Sequence, residues 1–162
     1  MADILQNSSL GDAITSDLAQ GVSPMVQSGR QTKDGAMTRQ VVSSGGPFEQ
    51  IYGYSRAVRV GAHVHVAVTA ARGDALIGDA YVQTQDVLGT IRSALEQAGA
   101  RVEYVVRTVI YITDIGDAEQ VGRAHREVFA DVRPASTMVQ VSALIRPEMR
   151  VEIEAYAVID EA

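Results

Sequence analysis

The sequence predicts a single α+β domain in which two helices pack on one face of a mixed β-sheet. Short runs rich in β-branched residues are separated by turn residues, and two longer segments carry apolar residues at helical spacing. The expected element order, β-β-β-α-β-α-β-β, favours a sheet with its helices on one side. The length of 162 residues suits one domain, which would bury roughly two-thirds of the surface that its unfolded chain exposes.

Three strands are expected in the first half of the domain, over residues 39–43, 55–60 and 62–70. The third alternates almost strictly, so its side chains should divide between two faces. The expected faces are Val64, Val66 and Val68 on one side, and His63, His65, Ala67 and Thr69 on the other. On the preceding strand, Arg56 and Arg59 are interpreted as surface charges.

The second half contains both predicted helices. The first should begin after Asp79, a suitable N-cap, and end before Gly99, a suitable C-terminal stop. The Arg133-Pro134 pair breaks the chain after the second. The expected elements are a helix over 79–98, a strand over 105–112, a helix over 118–129, and strands over 136–142 and 150–159.

The composition excludes several kinds of chemistry. The chain has no cysteine, so a disulfide scaffold, a thiolate nucleophile and a Cys-ligated zinc site are ruled out. Its single lysine, Lys33, precedes the predicted domain, which leaves no Schiff-base lysine in the folded body. His63 and His65 lie two residues apart but have no convincing third ligand nearby. Neither a metal nor a cofactor is therefore expected.

Charge and hydropathy narrow the expected partners and location. With 14 basic and 20 acidic residues the formal net charge is −6, which argues against a nucleic-acid partner. No apolar run approaches the length of a membrane span, and no signal-peptide pattern opens the chain. These features predict a cytoplasmic protein without a membrane partner.

Residues 1–36 are predicted to form a flexible N-terminal extension to a domain over 37–162. This extension is rich in Gly, Ser, Gln and Asp. One interpretation is a disordered tail upstream of an alternative start at Met37. The other is an amphipathic docking peptide within residues 1–20, which would deliver the domain to a protein shell or scaffold. The sequence leaves both interpretations open.

Several stretches, taken in order, resemble the RidA/YjgF family of reactive-intermediate deaminases. Together they run from about Arg39 to Val158 and leave out the N-terminal extension. The matching stretches are Gly46-Pro-Phe48 and residues 55–61, 83–99, 105–114, 133–135, 139–141 and 151–155. No single motif is decisive, but their order and spacing together are specific.

This resemblance implies a fold, an assembly and a reaction. The fold is chorismate-mutase-like, and the assembly is a homotrimer with three clefts between subunits. In the family, those clefts hydrolyse enamines and imines to ketones and ammonia without a metal or cofactor. The implied partner is therefore a small-molecule substrate.

The resemblance also identifies Glu152 as the pocket glutamate that orients the attacking water. Partial desolvation would be needed for that role, because it raises the pKa of a carboxylate toward the working range. Glu154 should leave the same strand face, so the two carboxylates could act as base and acid. The residues expected to bind the substrate are Phe48, Tyr54, Thr69, Ser136 and Thr137.

The chain departs from the family pattern at substrate-binding positions. Pro134-Ala-Ser-Thr137 stands where the family's deaminases have Pro-Ala-Arg-Ser, so Ser136 replaces a carboxylate-binding arginine. A hydroxyl lacks both the permanent charge and the paired hydrogen bonds of a guanidinium. Phe48 likewise replaces a tyrosine and loses its hydroxyl. These departures predict a different substrate range, with an uncharged ligand as one option.

Two classes of function stay open on the sequence. One is a hydrolytic deaminase of small enamines or imines. The other is a non-catalytic trimer that binds a metabolite or is carried to a larger assembly by residues 1–20. Ribonuclease activity, sometimes ascribed to the family, fits poorly with a net charge of −6.

Overall fold

The computed structural model describes residues 26–27 and 38–160. The described helices are α1 Pro47–Tyr52, α2 Ala80–Gln97 and α3 Ala118–Phe129. The described strands are β1 Val26–Gln27, β2 Arg39–Val42, β3 Ala57–Val60, β4 His63–Ala70, β5 Val105–Ile112, β6 Ala135–Gln140 and β7 Val151–Val158.

The described strands form one sheet in the order β1-β2-β3-β4-β7-β5-β6. Neighbouring strands are antiparallel except β5 and β6, which run parallel because α3 crosses between them. The predicted α+β class with a mixed sheet is confirmed. The three predicted strands before α2, and the order of elements after it, are also as expected.

α2 begins and ends where its flanking residues dictate. The Asp79 carboxylate accepts a hydrogen bond from the backbone N–H of Val82 at 2.9 Å and so caps the first turn. At the other end, Gly99 adopts a left-handed conformation at φ 76°, which stops the helix at little steric cost. The sequence predicts both ends, from Asp79 as the N-cap and Gly99 as the C-terminal stop.

The core lies between the sheet and the two long helices. Its largest fully buried side chains include Ile91, Leu95, Ile110, Ile112 and Ile153, from α2, β5 and β7. Along β7, buried residues alternate with half-buried ones, so Glu152 and Glu154 project from the face opposite the helices. This alternation directs the predicted water-orienting carboxylate away from the core.

The sequence pattern did not predict α1, because six residues are too few to establish a helical period. Pro47 stands in its first turn, where the missing N–H has no helical partner to lose. Gly53 ends it at φ 69°, and its N–H donates to the Glu49 carbonyl. The result is a short helix that carries Phe48 and Tyr52 to the candidate site.

β4 does not keep its predicted alternation to the end. Its pairing with β7 shifts register between Val66 and Thr69, which marks a β-bulge. Beyond the bulge Val68 is 37% exposed and Thr69 is 1% exposed. The expectation that Val68 lies with Val64, and Thr69 with His65, is therefore wrong. A bulge adds one residue to the strand, and one residue reverses every later side chain.

Most of the predicted N-terminal extension lies outside the described residues. Within 1–36 the structure describes β1, which pairs with Val41 and Val42 of β2. The docking-peptide and disordered-tail interpretations stay predictions. None of the described helices is both long and apolar enough to cross a membrane.

Candidate active site

A cleft of about 620 Å³ lies beside the second half of β4. α1 and the segment 143–149, which precedes β7, contribute to its walls. The larger apolar side chains lining it are Phe48, Tyr52, Leu76, Leu144, Ile145 and Met149. The polar side chains lining it are Tyr54, Arg56, Arg72, Arg146 and Glu152. A largely apolar cleft with a few convergent polar groups is typical of a small-molecule site.

Glu152 contributes a carboxylate to this cleft from β7. It is half-buried and lies at the register position between Ala70 of β4 and Tyr111 of β5. Burial raises the pKa of this carboxyl, and the Arg56 guanidinium opposes part of that rise. The surroundings therefore make Glu152 a better proton acceptor than a solvated glutamate.

The aromatic residues of the cleft come from α1 and the turn that follows it. Phe48 and Tyr52 stack with ring centroids 5.6 Å apart. Tyr54 Oη accepts a hydrogen bond from Arg56 Nη2 at 3.1 Å, and its ring lies 5.5 Å from the guanidinium carbon. The predicted binding residues Phe48 and Tyr54 thus line the same cleft as Glu152.

Arg56 is the largest departure from the sequence-based interpretation. Its expected role as a surface charge is wrong, because the residue is 3% exposed. The guanidinium donates to the Val68 carbonyl at 2.8 Å and to Thr69 Oγ1 at 2.7 Å. The β4 bulge creates these acceptors, and no sequence pattern marked the bulge.

Glu49 holds Arg56 from the opposite side. It is 6% exposed, and its carboxylate lies 3.9 Å from Arg56 Nε. Glu49 Oε1 also accepts hydrogen bonds from the backbone N–H of Ser44 at 3.0 Å and from the Ser44 hydroxyl at 2.5 Å. Burial alone would raise the pKa of Glu49, but the bonds from Ser43 and Ser44 and the Arg56 charge lower it overall.

Two further arginines line the cleft, and sequence reasoning identified neither. Arg72 Nη2 donates to Ser44 Oγ at 2.9 Å, although the two residues are 28 positions apart. Arg146 is 41% exposed and pairs with Glu148 at 3.5 Å. Because the fold alone brings these residues to one cleft, spacing along the chain carries no signal for them.

The other three predicted substrate-binding residues do not line this cleft. Thr69 is buried outside the cleft lining, and its hydroxyl accepts a hydrogen bond from Arg56. Ser136 and Thr137 are exposed on β6, beyond β5 from Glu152. Ser136 Oγ accepts a hydrogen bond from Thr108 Oγ1 at 3.0 Å. Within one chain, Phe48, Tyr54 and Glu152 come together, whereas Ser136 and Thr137 stay apart from them.

Glu154 lines a second, separate cleft on the sheet face opposite the helices. This cleft has a volume of about 460 Å³, and Tyr156, His65 and Arg107 also line it. Tyr54 contributes to both clefts, whereas Glu152 contributes to the larger. The two carboxylates therefore share a strand face but not a cleft.

The histidines take part in side-chain contacts of their own. His63 Nδ1 is hydrogen bonded to Tyr156 Oη, and His65 packs at 4.7 Å from the Tyr156 ring. His125 lies 3.0 Å from Thr108 Oγ1, and burial lowers its pKa. Among the residues that the structure describes, no three His, Asp or Glu side chains are grouped to hold a metal ion.

Comparison with known proteins agrees with this architecture. A family model described as Endoribonuclease L-PSP matches residues 47–159, which include the cleft and most of the sheet. A solved structure of a YjgF-family protein from Mycobacterium tuberculosis is 50% identical, with a TM-score of 0.71. The alignment covers 75% of this chain and 99% of that one. The chain belongs to the YjgF/RidA family. The resemblance found in the sequence is thus confirmed.

Two relatives outside the solved structures are similar in sequence to this YjgF/RidA protein. An uncharacterized protein of Streptomyces coelicolor is 42% identical over 120 residues, which are 71% of this chain and 90% of the relative. The 3-aminoacrylate deaminase RutC of Acinetobacter baylyi is 36% identical over 81 residues. That match covers 50% of this chain and 64% of the deaminase. The name of this second relative states an activity, but the match spans only half of this chain.

Proposed function

We propose that this YjgF/RidA protein hydrolyses a small enamine or imine and releases ammonia, with Glu152 orienting the attacking water. The observation that carries the proposal is a half-buried carboxylate in a largely apolar cleft, where burial raises its pKa. A carboxylate with a raised pKa accepts a proton more readily than one in water. The chemistry requires no metal or cofactor.

The proposed reaction begins when an enamine tautomerises to its imine. The Glu152 carboxylate accepts one proton from water as the water oxygen adds to the imine carbon, and it passes that proton to the imine nitrogen to give a carbinolamine. The C–N bond then breaks as the hydroxyl proton passes through Glu152 to the nitrogen, so that the hydroxyl oxygen becomes the ketone oxygen and the nitrogen leaves as ammonia. One imine and one water thus give one ketone and one ammonia.

Arg72 and Arg146 favour a substrate that carries a carboxylate. Both line the cleft that contains Glu152, and guanidinium groups bind carboxylates through paired hydrogen bonds. In this proposal they supply the positive charge that the chain lacks at Ser136. The RutC relative supports the class, because the 3-aminoacrylate of its name is an enamine acid.

We also propose a homotrimer in which each cleft is completed by a neighbouring subunit. Ser136 and Thr137 are exposed on the edge strand β6 and lie outside the cleft of their own chain. If the clefts lie between subunits, β6 of one subunit can supply these hydroxyls to the cleft of the next. This arrangement would give Ser136 and Thr137 the binding role that the family resemblance predicts.

An assay with imines generated in situ tests the proposed reaction. Glu152→Gln is expected to lower kcat by about 100-fold or more, because a neutral amide does not accept a proton from water. Glu154→Gln is the matched control, since this residue lies on the same strand face but outside the cleft. Ammonia release measures both. No acceleration over buffer by the wild-type protein would refute the enzyme proposal.

The same assay tests the substrate class. Arg72→Gln should raise KM for a 2-iminocarboxylate and leave an uncharged imine unaffected, because the guanidinium would contact only the acid group. Equal losses on both substrates would contradict a role in carboxylate binding. Faster turnover of uncharged imines by the wild-type protein would favour the uncharged substrate class.

A non-catalytic metabolite-binding trimer is the second candidate, because a cleft of this size and lining suits binding without turnover. Saturable binding of a 2-oxo acid, measured by calorimetry, together with no ammonia release, would favour it. In this second candidate, residues 1–20 would deliver the protein to a shell or scaffold. A cytoplasmic location is proposed for the protein under either function.

A further inference from the structure

Arg56 lies against the bulge that interrupts the pairing of β4 with β7. A bulge leaves backbone groups without their regular strand partners. Arg56 Nη1 donates to the Val68 carbonyl at 2.8 Å and to Thr69 Oγ1 at 2.7 Å, with a longer contact of 3.5 Å to the Ala67 carbonyl. The guanidinium therefore takes the place of missing sheet hydrogen bonds.

The other side of the guanidinium also has polar partners, at longer distances. Its Nε lies 3.9 Å from the Glu49 carboxylate and donates to Ser44 Oγ at 3.4 Å. Its Nη2 donates to Tyr54 Oη at 3.1 Å. The cation is thus held between α1, the Ser44 loop and the β4 bulge, where it lines the cleft.

Glu152 lies in the field of this fixed cation. The other charged or titratable residues lining the same cleft are Tyr52, Tyr54, Arg72 and Arg146. On the adjoining strands, Tyr111 is the register partner of Glu152 and Glu154 shares its strand face. Among these groups Arg56 is buried and held from both sides, whereas Arg72 is exposed and Arg146 is 41% exposed.

We propose that Arg56 is a positioning residue for the candidate site, because it maintains the β4 bulge that shapes the cleft and holds a positive charge in the cleft that Glu152 also lines. The inference deepens the proposed function and rests on it for the role of Glu152. A lysine could supply the charge but not the several donors in fixed directions that the bulge and Glu49 require.

Carboxyl NMR titration of Glu152 in the full-length chain tests the electrostatic part, with the resonance assigned by its loss in Glu152→Gln. In Arg56→Met the midpoint should rise above the wild-type value, because an opposing cation is gone. The double variant Glu49→Gln/Arg56→Met should show the same rise without leaving the Glu49 carboxylate buried and unpaired. Arg59→Met is the matched control, because it removes an arginine that does not line the cleft. Arg59, on β3, donates instead to the Gly61 and Ala98 carbonyls.

Arg56→Lys tests the structural part. It should leave the Glu152 midpoint near wild type and change the backbone amide resonances of residues 67–69, because the charge stays but the set of donors does not. An unchanged midpoint in the double variant, or unchanged amide resonances in Arg56→Lys, would overturn the proposal. If Arg56→Met fails to fold, the double variant and Arg56→Lys still decide both parts.

The titration requires no turnover, which separates this inference from the proposed reaction. A shifted midpoint in a protein that releases no ammonia would refute the reaction and support the role of Arg56. An active protein whose Glu152 midpoint does not shift would support the reaction and refute the role of Arg56. In an active protein, the acidic limb of the pH–rate profile should move to higher pH in the double variant, since the ionised carboxylate is the acting form.

Discussion

The surroundings of the Glu152 carboxylate oppose its charge. Burial raises its pKa, and the Arg56 guanidinium offsets part of the rise. A carboxyl with a higher pKa in the folded chain binds more protons there than in the unfolded chain. The free energy of unfolding therefore falls as pH rises through the interval between the two pKa values. Stability lost in this way accompanies a stronger base in the cleft.

Glu152→Gln is accordingly expected to raise Tm at neutral pH, because the amide carries no charge to desolvate. Below the ordinary glutamate pKa of 4.5 both proteins are neutral at this position, so their Tm values should converge. Scanning calorimetry from neutral pH to below pH 4.5 measures the difference in Tm between the variant and the wild type. A variant less stable than wild type at neutral pH would contradict the expectation.

Glu49 behaves in the opposite way. Burial would raise its pKa, but hydrogen bonds from Ser43 and Ser44 and the charge of Arg56 together lower it below the usual value. A lowered pKa contributes stability above the unfolded value of 4.5, and this contribution is lost as pH falls through the folded value. The α1 network should therefore weaken in acid.

Replacement of Glu49 by Gln should lower the free energy of unfolding by about 3 kcal/mol at neutral pH, because it leaves a buried guanidinium without its charged partner. Urea denaturation measures the loss, which should shrink in acid as the wild-type carboxylate is protonated. Glu103→Gln is the control, since Glu103 is exposed and should change stability by less than about 0.5 kcal/mol. Equal effects of the two variants would show that the Glu49 network contributes no stability.

At the level of elements, the short helix α1 is defined more by the glycine that ends it than by a repeat of apolar residues. Gly53 adopts φ 69°, and nothing lies within 4 Å of the Cβ that another residue would add there. Its requirement for glycine is therefore conformational and not steric. Gly89 in α2 also has open space around an added Cβ but needs no left-handed backbone.

These two glycines predict opposite outcomes for the same substitution. Gly53→Ala should destabilise the protein by about 1 kcal/mol, because alanine pays for a left-handed backbone. Gly89→Ala should stabilise it by about 0.5–1 kcal/mol, because alanine has the higher helix propensity. Denaturant unfolding of both variants measures the two effects, and a shared sign would rule out this conformational explanation.

The strands and long helices could be predicted because each carries enough residues to repeat a period. The faces of β4 followed the prediction through Val66 and failed at Val68 and Thr69, where the bulge intervenes. A bulge depends on the partner strand and on the side chain that fills it, in this case Arg56. Alternation within one strand contains neither piece of information.

At the scale of the whole molecule, the described chain leaves part of the predicted site exposed. Ser136 and Thr137 lie on the edge strand β6 with their side chains exposed, while Glu152 lies in the cleft beside β4. A trimer that buries β6 against a neighbouring cleft would unite these residues. In the proposed trimer, the site would be completed by assembly as well as by folding.

Light scattering after size-exclusion chromatography is expected to give three times the chain mass of 17.3 kDa. Deleting residues 1–20 should leave that assembly intact, because the proposed docking peptide would bind another protein and not the neighbouring subunit. A monomeric full-length protein would contradict the trimer. Dissociation on deletion would contradict the docking role of these residues.

The sequence by itself determined the α+β class, the boundaries of the long elements and the family, and the family resemblance led to the prediction of Glu152. Each depends on information that is local in the chain: a period of two or 3.6 residues, a capping residue, or a motif in order. Tertiary structure alone decided that Arg56 is buried and that Arg72 donates a hydrogen bond to Ser44, 28 positions away in the chain. The physical reason is that burial and electrostatic contact depend on distance in space, which sheet pairing and the bulge set.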